Sequence, residues 1–199
     1  MKKIFILLGH PDVDTYNGYL ADRYEEAARE AGHEVRRCNI SELRFDPILH
    51  KGYKVIQELE PDLKEVQEHM KWADHFVVIY PNWWCTMPAL LKGFFDRIFL
   101  PAFAFRFIKP AESAWKARLG LWHPLLKGKT ARVIITLNSY PWMTRLVMGD
   151  FSNEIRRAIL WFAGYWPVRL TTIGPVEKLH PEELSAWGEE ICRLARKGK

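Results

Sequence analysis

A chain of 199 residues with 48% hydrophobic and 27% charged residues has the composition of a folded globular protein, and its length allows one sizeable domain. The formal charge of +5 lies largely at the two ends of the chain, and no basic stripe interleaves with aromatic residues, so nucleic-acid binding is not expected. The three cysteines are widely spaced and form no CxxC pair, which favours a reducing cytoplasm over a disulfide framework. The seven histidines show no metal-site spacing, so we expect no metal.

Two apolar runs raise the question of a membrane segment. The run at residues 4–8 is too short for the apolar region of a signal peptide. The longer uncharged stretch at residues 76–91 is interrupted by Pro81, Asn82 and Pro88, and it falls short of the roughly 20 apolar residues of a spanning helix. We therefore expect no membrane insertion.

Strand-like and helix-like patterns alternate along the chain. In chain order they predict a strand at 2–9, a helix at 17–32, a strand at 33–40, a helix at 60–73, a strand at 74–81, a helix at 88–100, a strand at 131–137, a helix at 152–164 with a Ser152 cap, a strand at 168–174 and a helix at 180–197. Repeated βα units with apolar strands predict an α/β fold, with helices on both faces of a parallel sheet. Five strands fit the flavodoxin-like order 2-1-3-4-5.

Two segments interrupt this alternation. Residues 40–60 form a connection, and residues 100–129 are long, aromatic and irregular. A loop of that length inside a compact domain is usually functional. The sequence shows no repeat and no linker, so residues 1–199 are predicted to form a single domain with an aromatic insertion at about 100–129.

Ligands of an open α/β sheet bind beyond the carboxyl ends of the strands, where the winding direction switches. For this order, the first, third and fourth predicted strands end there. The first end, GHPDVDTYN at residues 9–17, leads into a helix whose N–H groups, with the imidazole of His10, form a phosphate-sized anion site. The alternative is simple capping of the helix by Thr15 or Asn17.

The second strand end reads Pro81-Asn82-Trp83-Trp84-Cys85. Two adjacent tryptophans in a polar loop could flank a planar heterocycle, or they could pack beneath the loop that follows. We expect Cys85 to line a pocket rather than act as a nucleophile, because no histidine or basic partner is near it in sequence.

The third strand end, TLNSYPWM at residues 136–143, places Asn138, Ser139 and Tyr140 toward the same crevice. Each of the three signals is weak alone. An anion-binding helix start, an aromatic wall and a polar loop together describe a site with the shape of flavin mononucleotide.

At these residues the sequence resembles the flavodoxin-like NAD(P)H dehydrogenase (quinone) family, and also the related ancillary flavoprotein subunits of glutathione-gated potassium efflux systems. The matching strings are GHPDVDTYN, ADHFVVIYPNWWCTMPALLKGFFDRIFLPAFAF and LLKGKTARVIITLNSYPW, of which the second is long and specific. The resemblance implies a noncovalently bound FMN or FAD and two-electron reduction of a quinone or similar electrophile by NADH or NADPH. It also implies a homodimer, for which residues 100–123 are our candidate contact.

The resemblance also implies roles for individual residues. It assigns the flavin phosphate to His10, Thr15, Tyr16 and Asn17, the flavin ring to Pro81, Asn82, Trp83, Trp84 and Cys85, and the pyrimidine edge of the ring to the loop of Thr136, Asn138, Ser139 and Tyr140. Asn138 and Tyr140 are our candidate catalytic donors, because reduction leaves negative charge near flavin N1 and O2. Many family members have a Thr-Thr-Gly-Gly turn where this chain has Thr136-Leu137-Asn138-Ser139.

The expected activity is therefore that of a flavin-dependent NAD(P)H:quinone-type oxidoreductase. The alternative is a regulatory subunit of a potassium efflux system, in which flavin binding serves a protein contact. A plain flavodoxin electron carrier is disfavoured, because the acidic surface and the phosphate turn of that class are missing.

Overall fold

A five-stranded parallel sheet forms the centre of the protein. The computed structural model describes residues 1–199. The strands are β1 (Lys3–Leu8), β2 (Glu34–Asn39), β3 (His75–Pro81), β4 (Phe105–Phe107), β5 (Trp122–Pro124), β6 (Thr130–Thr136) and β7 (Val168–Ile173). The sheet order is β2-β1-β3-β6-β7, while β4 and β5 form a separate hairpin. The predicted order is thus confirmed, and only the numbering shifts because the hairpin intervenes.

The central strands are apolar because helices cover both faces of the sheet. All of β3 is buried, and only the first residue of β1 is partly exposed. The helices are α1 (Tyr16–Glu30), α2 (Pro61–Trp72), α3 (Ala89–Ile98), α4 (Ala114–Arg118), α5 (Pro141–Met148), a π-helix (Glu154–Trp161) and α6 (Pro181–Arg196). Two apolar cores result: one contains α1 and α6, and the other contains α2, α3 and the π-helix. None of the helices combines the length and the apolar character needed to cross a lipid bilayer.

The segment after β6 differs from its prediction. Residues expected to form a loop form the helix α5, and the helix expected from residue 152 is a π-helix that begins at Glu154. The predicted Ser152 cap is wrong, since the Ser152 hydroxyl bonds the carboxylate of Asp150 at 2.6 Å. π-helical turns are rare and occur frequently at functional sites.

The aromatic insertion is more regular than predicted. It contains the β4–β5 hairpin and α4, and it packs against the end of the π-helix through Trp122. The Trp122 ring stacks on Phe162 at 4.2 Å between centroids, and its indole N–H donates to the Phe162 carbonyl at 2.8 Å. These contacts join segments far apart in sequence, so no local pattern reveals them.

The connection at residues 40–60 is held by one fully buried guanidinium. Arg97 of α3 donates to the carbonyls of Asp46 and Glu58 and forms an ion pair with Glu60 at 2.9 Å. The connection also packs closely against α3 at Gly93, where a Cβ would lie 2.6 Å from the Pro47 carbonyl oxygen. The stretch of sequence that resembles the family therefore anchors this connection as well as shaping the strand end.

We expect Arg97→Met to lower the free energy of unfolding by about 3 kcal/mol, because it leaves the Glu60 carboxylate and two carbonyls without their donor. Urea denaturation monitored by circular dichroism measures this. Lys92→Met on the same helix is the control: it breaks an exposed ion pair with Asp96 and should cost less than about 1 kcal/mol. Equal losses in the two variants would contradict the role of Arg97.

Candidate functional site

The carboxyl ends of β1, β3 and β6 meet as predicted. The ring of His10, after β1, lies 5.7 Å from the Trp83 ring, after β3, in an edge-on arrangement. The Asn82 N–H donates to the Thr136 carbonyl at 2.8 Å, and the Thr136 hydroxyl donates to the Asn17 amide oxygen at 3.1 Å. Residues from the three predicted loops therefore form one continuous surface.

The first loop shapes the N-terminus of α1. The Thr15 hydroxyl caps the helix by accepting from the Gly18 N–H at 3.3 Å, as predicted. Gly18 is required, because a Cβ there would lie 1.9 Å from the Val13 carbonyl oxygen. The backbone N–H groups of Tyr16 and Asn17 have no acceptor in the structure. Free N–H groups at a helix start, with the positive end of the helix dipole, fit a phosphate group.

The side chains of Tyr16 and Asn17 serve the scaffold. The Tyr16 hydroxyl donates to the Leu184 carbonyl of α6 at 2.9 Å, and burial, followed by the proximity of Tyr19, raises its pKa to about 12. The Asn17 side chain is buried against Thr136. For these two predicted phosphate ligands, the backbone N–H groups are the parts left free to bind an anion.

The second loop contains a tight turn in an unusual conformation. Two backbone hydrogen bonds join Trp83 and Thr86, at 2.9 and 3.1 Å, and the central residues Trp84 and Cys85 have φ values of 52° and 61°. Positive φ at both central positions defines a type I′ turn, which glycine and asparagine favour. The Trp84 side chain is 99% exposed, so no packing within the chain offsets this strain. Strained non-glycine residues of this kind cluster at binding sites.

A cavity of about 300 Å³ lies between this turn and α5. It is lined by Asn82, Trp84, Cys85, Ser139, Met143, Thr144, Val147 and Met148. The amide oxygen of Asn82 is buried without a donor, which costs about 1–3 kcal/mol unless a ligand supplies an N–H. An apolar wall with one unsatisfied acceptor fits the edge of a planar heterocycle. Cys85 lines this cavity, in agreement with the prediction.

The polar side chains of the third loop differ in whether they are already hydrogen-bonded within the chain. The Asn138 amide donates to Glu177 at 2.7 Å, and the Ser139 hydroxyl shares a hydrogen bond with Thr144 at 2.6 Å. The Tyr140 hydroxyl makes no hydrogen bond, and its side chain is half exposed at the start of α5. Of the two candidate catalytic donors, Tyr140 is thus the one with a free side-chain group.

Sequence reasoning missed the contribution of α5 to this cavity. Four of its residues line the cavity, namely Met143, Thr144, Val147 and Met148. The signals were present, since Pro141 occupies the first turn and Gly149 follows the last residue with a φ of 85°. Apolar periodicity did not reveal this helix, because its apolar residues face outward and do not form a stripe that faces the core.

Several known proteins are similar to this chain in sequence. A family model described as flavodoxin-like fold matches residues 2–193. A ribosyldihydronicotinamide dehydrogenase-like protein of Penicillium crustosum is 26% identical over 82% of this chain and 69% of its own. An NAD(P)H oxidoreductase of Haemophilus influenzae, described as uncharacterized, is 29% identical over 67% and 63%. NAD(P)H dehydrogenase [quinone] 1 of Cavia porcellus is 26% identical over 54% and 46%, so the chain spans about half of that protein's length.

Solved structures share the fold over nearly the whole chain. Smu.1420 of Streptococcus mutans superposes with a TM-score of 0.79 at 25% identity, over 98% of both chains. An NAD(P)H:quinone oxidoreductase of Methanothermobacter marburgensis gives 0.77 at 20% identity, over 98% and 95%. An FMN-dependent NADH-azoreductase of Bacillus anthracis, solved in complex with FMN, gives 0.72 at 20% identity, over 99% of both chains.

We expect Trp84→Gly to raise the free energy of unfolding of the unliganded protein by about 1 kcal/mol, because glycine relieves the positive-φ strain and the exposed indole contributes no packing. Thermal unfolding of the ligand-free protein measures this. The control is Trp115→Gly in α4, another exposed tryptophan, where glycine should lower stability by about 1 kcal/mol. A destabilised Trp84→Gly would show that the turn is not strained.

Proposed function

The chain belongs to the flavodoxin-like fold family, and on that premise we propose that it is a flavin-dependent oxidoreductase that transfers two electrons from NADPH or NADH to a quinone or a similar small electrophile. One observation carries the proposal: a helix start with free N–H groups, an exposed tryptophan in a strained turn and an apolar cavity meet at the carboxyl ends of three strands. The names of the Cavia porcellus and Haemophilus influenzae relatives support the reaction class. The FMN-bound azoreductase shows that this fold accommodates FMN.

Two parts of the site would bind different groups of the cofactor, FMN or FAD. His10, Thr15 and the backbone N–H groups of Tyr16 and Asn17 bind the phosphate. Pro81, Asn82, Trp83, Trp84 and Cys85 would line the ring, with Thr136 and Ser139 of the third loop at its pyrimidine edge. A bound flavin supplies a ring that accepts a hydride, and the protein supplies orientation and electrostatics.

The third loop and α5 would stabilise negative charge at one edge of a bound flavin ring. The Tyr140 hydroxyl is free to donate a hydrogen bond, and the N-terminus of α5 adds the positive end of its dipole. Asn138 contributes through its backbone N–H, because its amide is bonded to Glu177. Donors fixed before the reaction favour the charged product without reorganising.

A second copy of the chain completes the site in our proposal. The outer face of α5 exposes Trp142, Leu146 and Val147, with Leu146 78% exposed, and it adjoins the exposed Trp84 through the cavity they share. Contiguous apolar surface of this kind marks interaction sites. Phe107 of the insertion, which lies in the stretch predicted from the sequence to form the contact, is also exposed.

Two further proposals concern the whole chain. Cys38, Cys85 and Cys192 are free thiols, which supports a reducing compartment such as the cytoplasm. Residues 1–199 form one domain, since both apolar cores pack against the same sheet.

The activity is tested with the purified protein, its visible absorption spectrum and its oxidation of NADPH in the presence of a benzoquinone. We expect a yellow protein, or uptake of added FMN or FAD, and ping-pong turnover. Trp84→Gly should bind flavin about tenfold more weakly, because it loses an aromatic ring contact, whereas Trp115→Gly should bind normally. A colourless protein that takes up neither flavin contradicts the proposal. Flavin binding without turnover would instead indicate a regulatory subunit.

The dimer is tested by light scattering after size-exclusion chromatography. We expect the wild-type chain to elute as a dimer and Leu146→Glu as a monomer, because a charge buried in an apolar interface is strongly unfavourable. Ile56→Glu, at an exposed position of the connection at residues 40–60, is the control and should remain dimeric. A monomeric wild-type protein would rule the dimer out.

A further inference from the structure

A second cavity, of about 510 Å³, lies beside β7, at the edge of the sheet. We call it the arginine cavity, because four of its seven lining residues are arginines. It is lined by Arg132, Arg145, Arg156, Val168, Arg169, Leu170 and Thr172. None of these residues lines the cavity of about 300 Å³ between the Trp84 turn and α5.

The positive charge of the arginine cavity is only partly offset by the chain. No Asp or Glu carboxylate oxygen lies within 4.0 Å of the guanidinium nitrogens of its four arginines. The Asp150 carboxylate lies near Arg145 and Arg156. Burial alone would raise its pKa, but the hydrogen bonds from Ser152 and the charges of the two arginines hold that pKa below the usual value. Guanidinium groups that line one cavity without a direct ion pair to Asp or Glu repel one another, so an anion would stabilise them.

A second carboxylate near the arginine cavity already has an ion-pair partner. Glu190 accepts from the Nε–H and one terminal N–H of Arg193, at 2.6 and 2.5 Å, and this hydrogen bonding is the main cause of its lowered pKa. Arg132 itself is only 5% exposed, and burial lowers its pKa. Its guanidinium donates to the Thr171 hydroxyl and to the main-chain oxygen of Lys199, both at 2.7 Å, so Arg132 is held by contacts within the chain.

Further donors surround the space. The Nε of Arg156 is buried without a partner. The carbonyls of Pro167 and Ile173 face β6, where they accept from Ala131 and Leu137. Backbone groups alternate in direction along a strand, so those of Val168, Leu170 and Thr172 point away from β6, toward the open edge of the sheet. These three residues line the cavity.

A simpler explanation for arginines on an edge strand is that they prevent other strands from pairing with it. Such guards extend into solvent, whereas here Arg132 is buried and the Arg156 Nε is enclosed. α5 and the π-helix also contribute side chains over the edge, so the surface is concave rather than a flat strand edge. A site lined by side chains of two strands and two helices suits a small ligand better than an added strand.

We propose that the arginine cavity binds a phosphate-bearing small molecule, with Arg145, Arg156 and Arg169 donating to the phosphate oxygens. The planar fork of a guanidinium matches two phosphate oxygens at once, and backbone N–H groups complete the set. Two sources share this chemistry: a separate phosphorylated ligand, or the extra phosphate of NADPH. The second source rests on the proposed function, and it is geometrically open because Met143 and Arg145 of α5 line the two cavities on opposite sides of a helix about 10–12 Å wide.

The first test is isothermal titration calorimetry of the flavin-saturated protein with inorganic pyrophosphate. We expect one site per chain, weakened about tenfold or more in Arg156→Gln and in Arg169→Gln, because each loses a charge-assisted hydrogen bond. Arg118→Gln removes an exposed arginine of α4 outside the cavity and should bind as the wild type does. The side chain of Arg169 is exposed and makes no hydrogen bond in the structure, so this variant keeps the test valid if Arg156→Gln fails to fold.

The outcomes separate this proposal from the proposed function. Absence of pyrophosphate binding, or equal binding by all three variants, overturns the arginine cavity as a phosphate site. Binding of a glutamate-rich peptide without binding of pyrophosphate overturns it too, in favour of strand docking. If the protein fails to oxidise NAD(P)H, the calorimetric comparison still decides, because it requires no turnover.

A second measurement identifies the source of the phosphate. In Arg169→Gln, a KM for NADPH that rises about tenfold while the KM for NADH is unchanged assigns the phosphate to the dinucleotide. Weakened pyrophosphate binding with both KM values unchanged assigns it to a separate ligand. Either result supports a phosphate site in the arginine cavity.

Discussion

Thr136 is the residue through which the three loops of the candidate site are joined. Its carbonyl accepts from the Asn82 N–H, and its hydroxyl donates to Asn17 in the first turn of α1. Both bonds depend on the parallel register, in which Pro81 and Thr136 lie opposite each other at the carboxyl ends of β3 and β6. A one-residue slip would turn every side chain of β6 to the other face and separate the loops. The apolar cores on both faces prevent that slip, so packing far from the cavity determines its shape.

Local rules are broken where the loops meet. Trp84 and Cys85 adopt positive φ without being glycine, and the Asn82 amide oxygen is buried without a donor. The turn keeps this conformation because its ends are bonded to each other and because the Thr86 hydroxyl donates to Glu154 of the π-helix at 2.5 Å. Violations of this kind in an otherwise consistent structure are expected at functional sites. The exposed Trp84 is thus better explained by a ligand than by the needs of folding.

The sequence allowed the sheet, the outer helices and the meeting of three loops to be predicted, because these follow from apolar periodicity and from the general topology of parallel sheets. The uses of individual side chains could not be predicted in the same way. Tyr16 bonds to Leu184 and Asn138 to Glu177, and both partners are distant in sequence. The helix α5 was missed because its apolar residues face outward, where periodicity carries no information about the core. The β4–β5 hairpin was missed because its strands are three residues each and are separated by α4.

The two proposed anion sites differ in the kind of donor they use, and this difference has a functional meaning. At α1 the donors are backbone N–H groups fixed by the fold, beside the imidazole of His10, whose Nδ1 accepts from the Asp12 N–H at 2.9 Å, so binding depends on shape and on the helix dipole. In the arginine cavity the donors are full charges, two of them on exposed side chains, and their attraction for an anion is screened within about 8–10 Å at physiological ionic strength. The first arrangement suits a cofactor that stays bound through many turnovers. The second suits a ligand that must arrive quickly and leave again, since charge raises association rates more than it slows release.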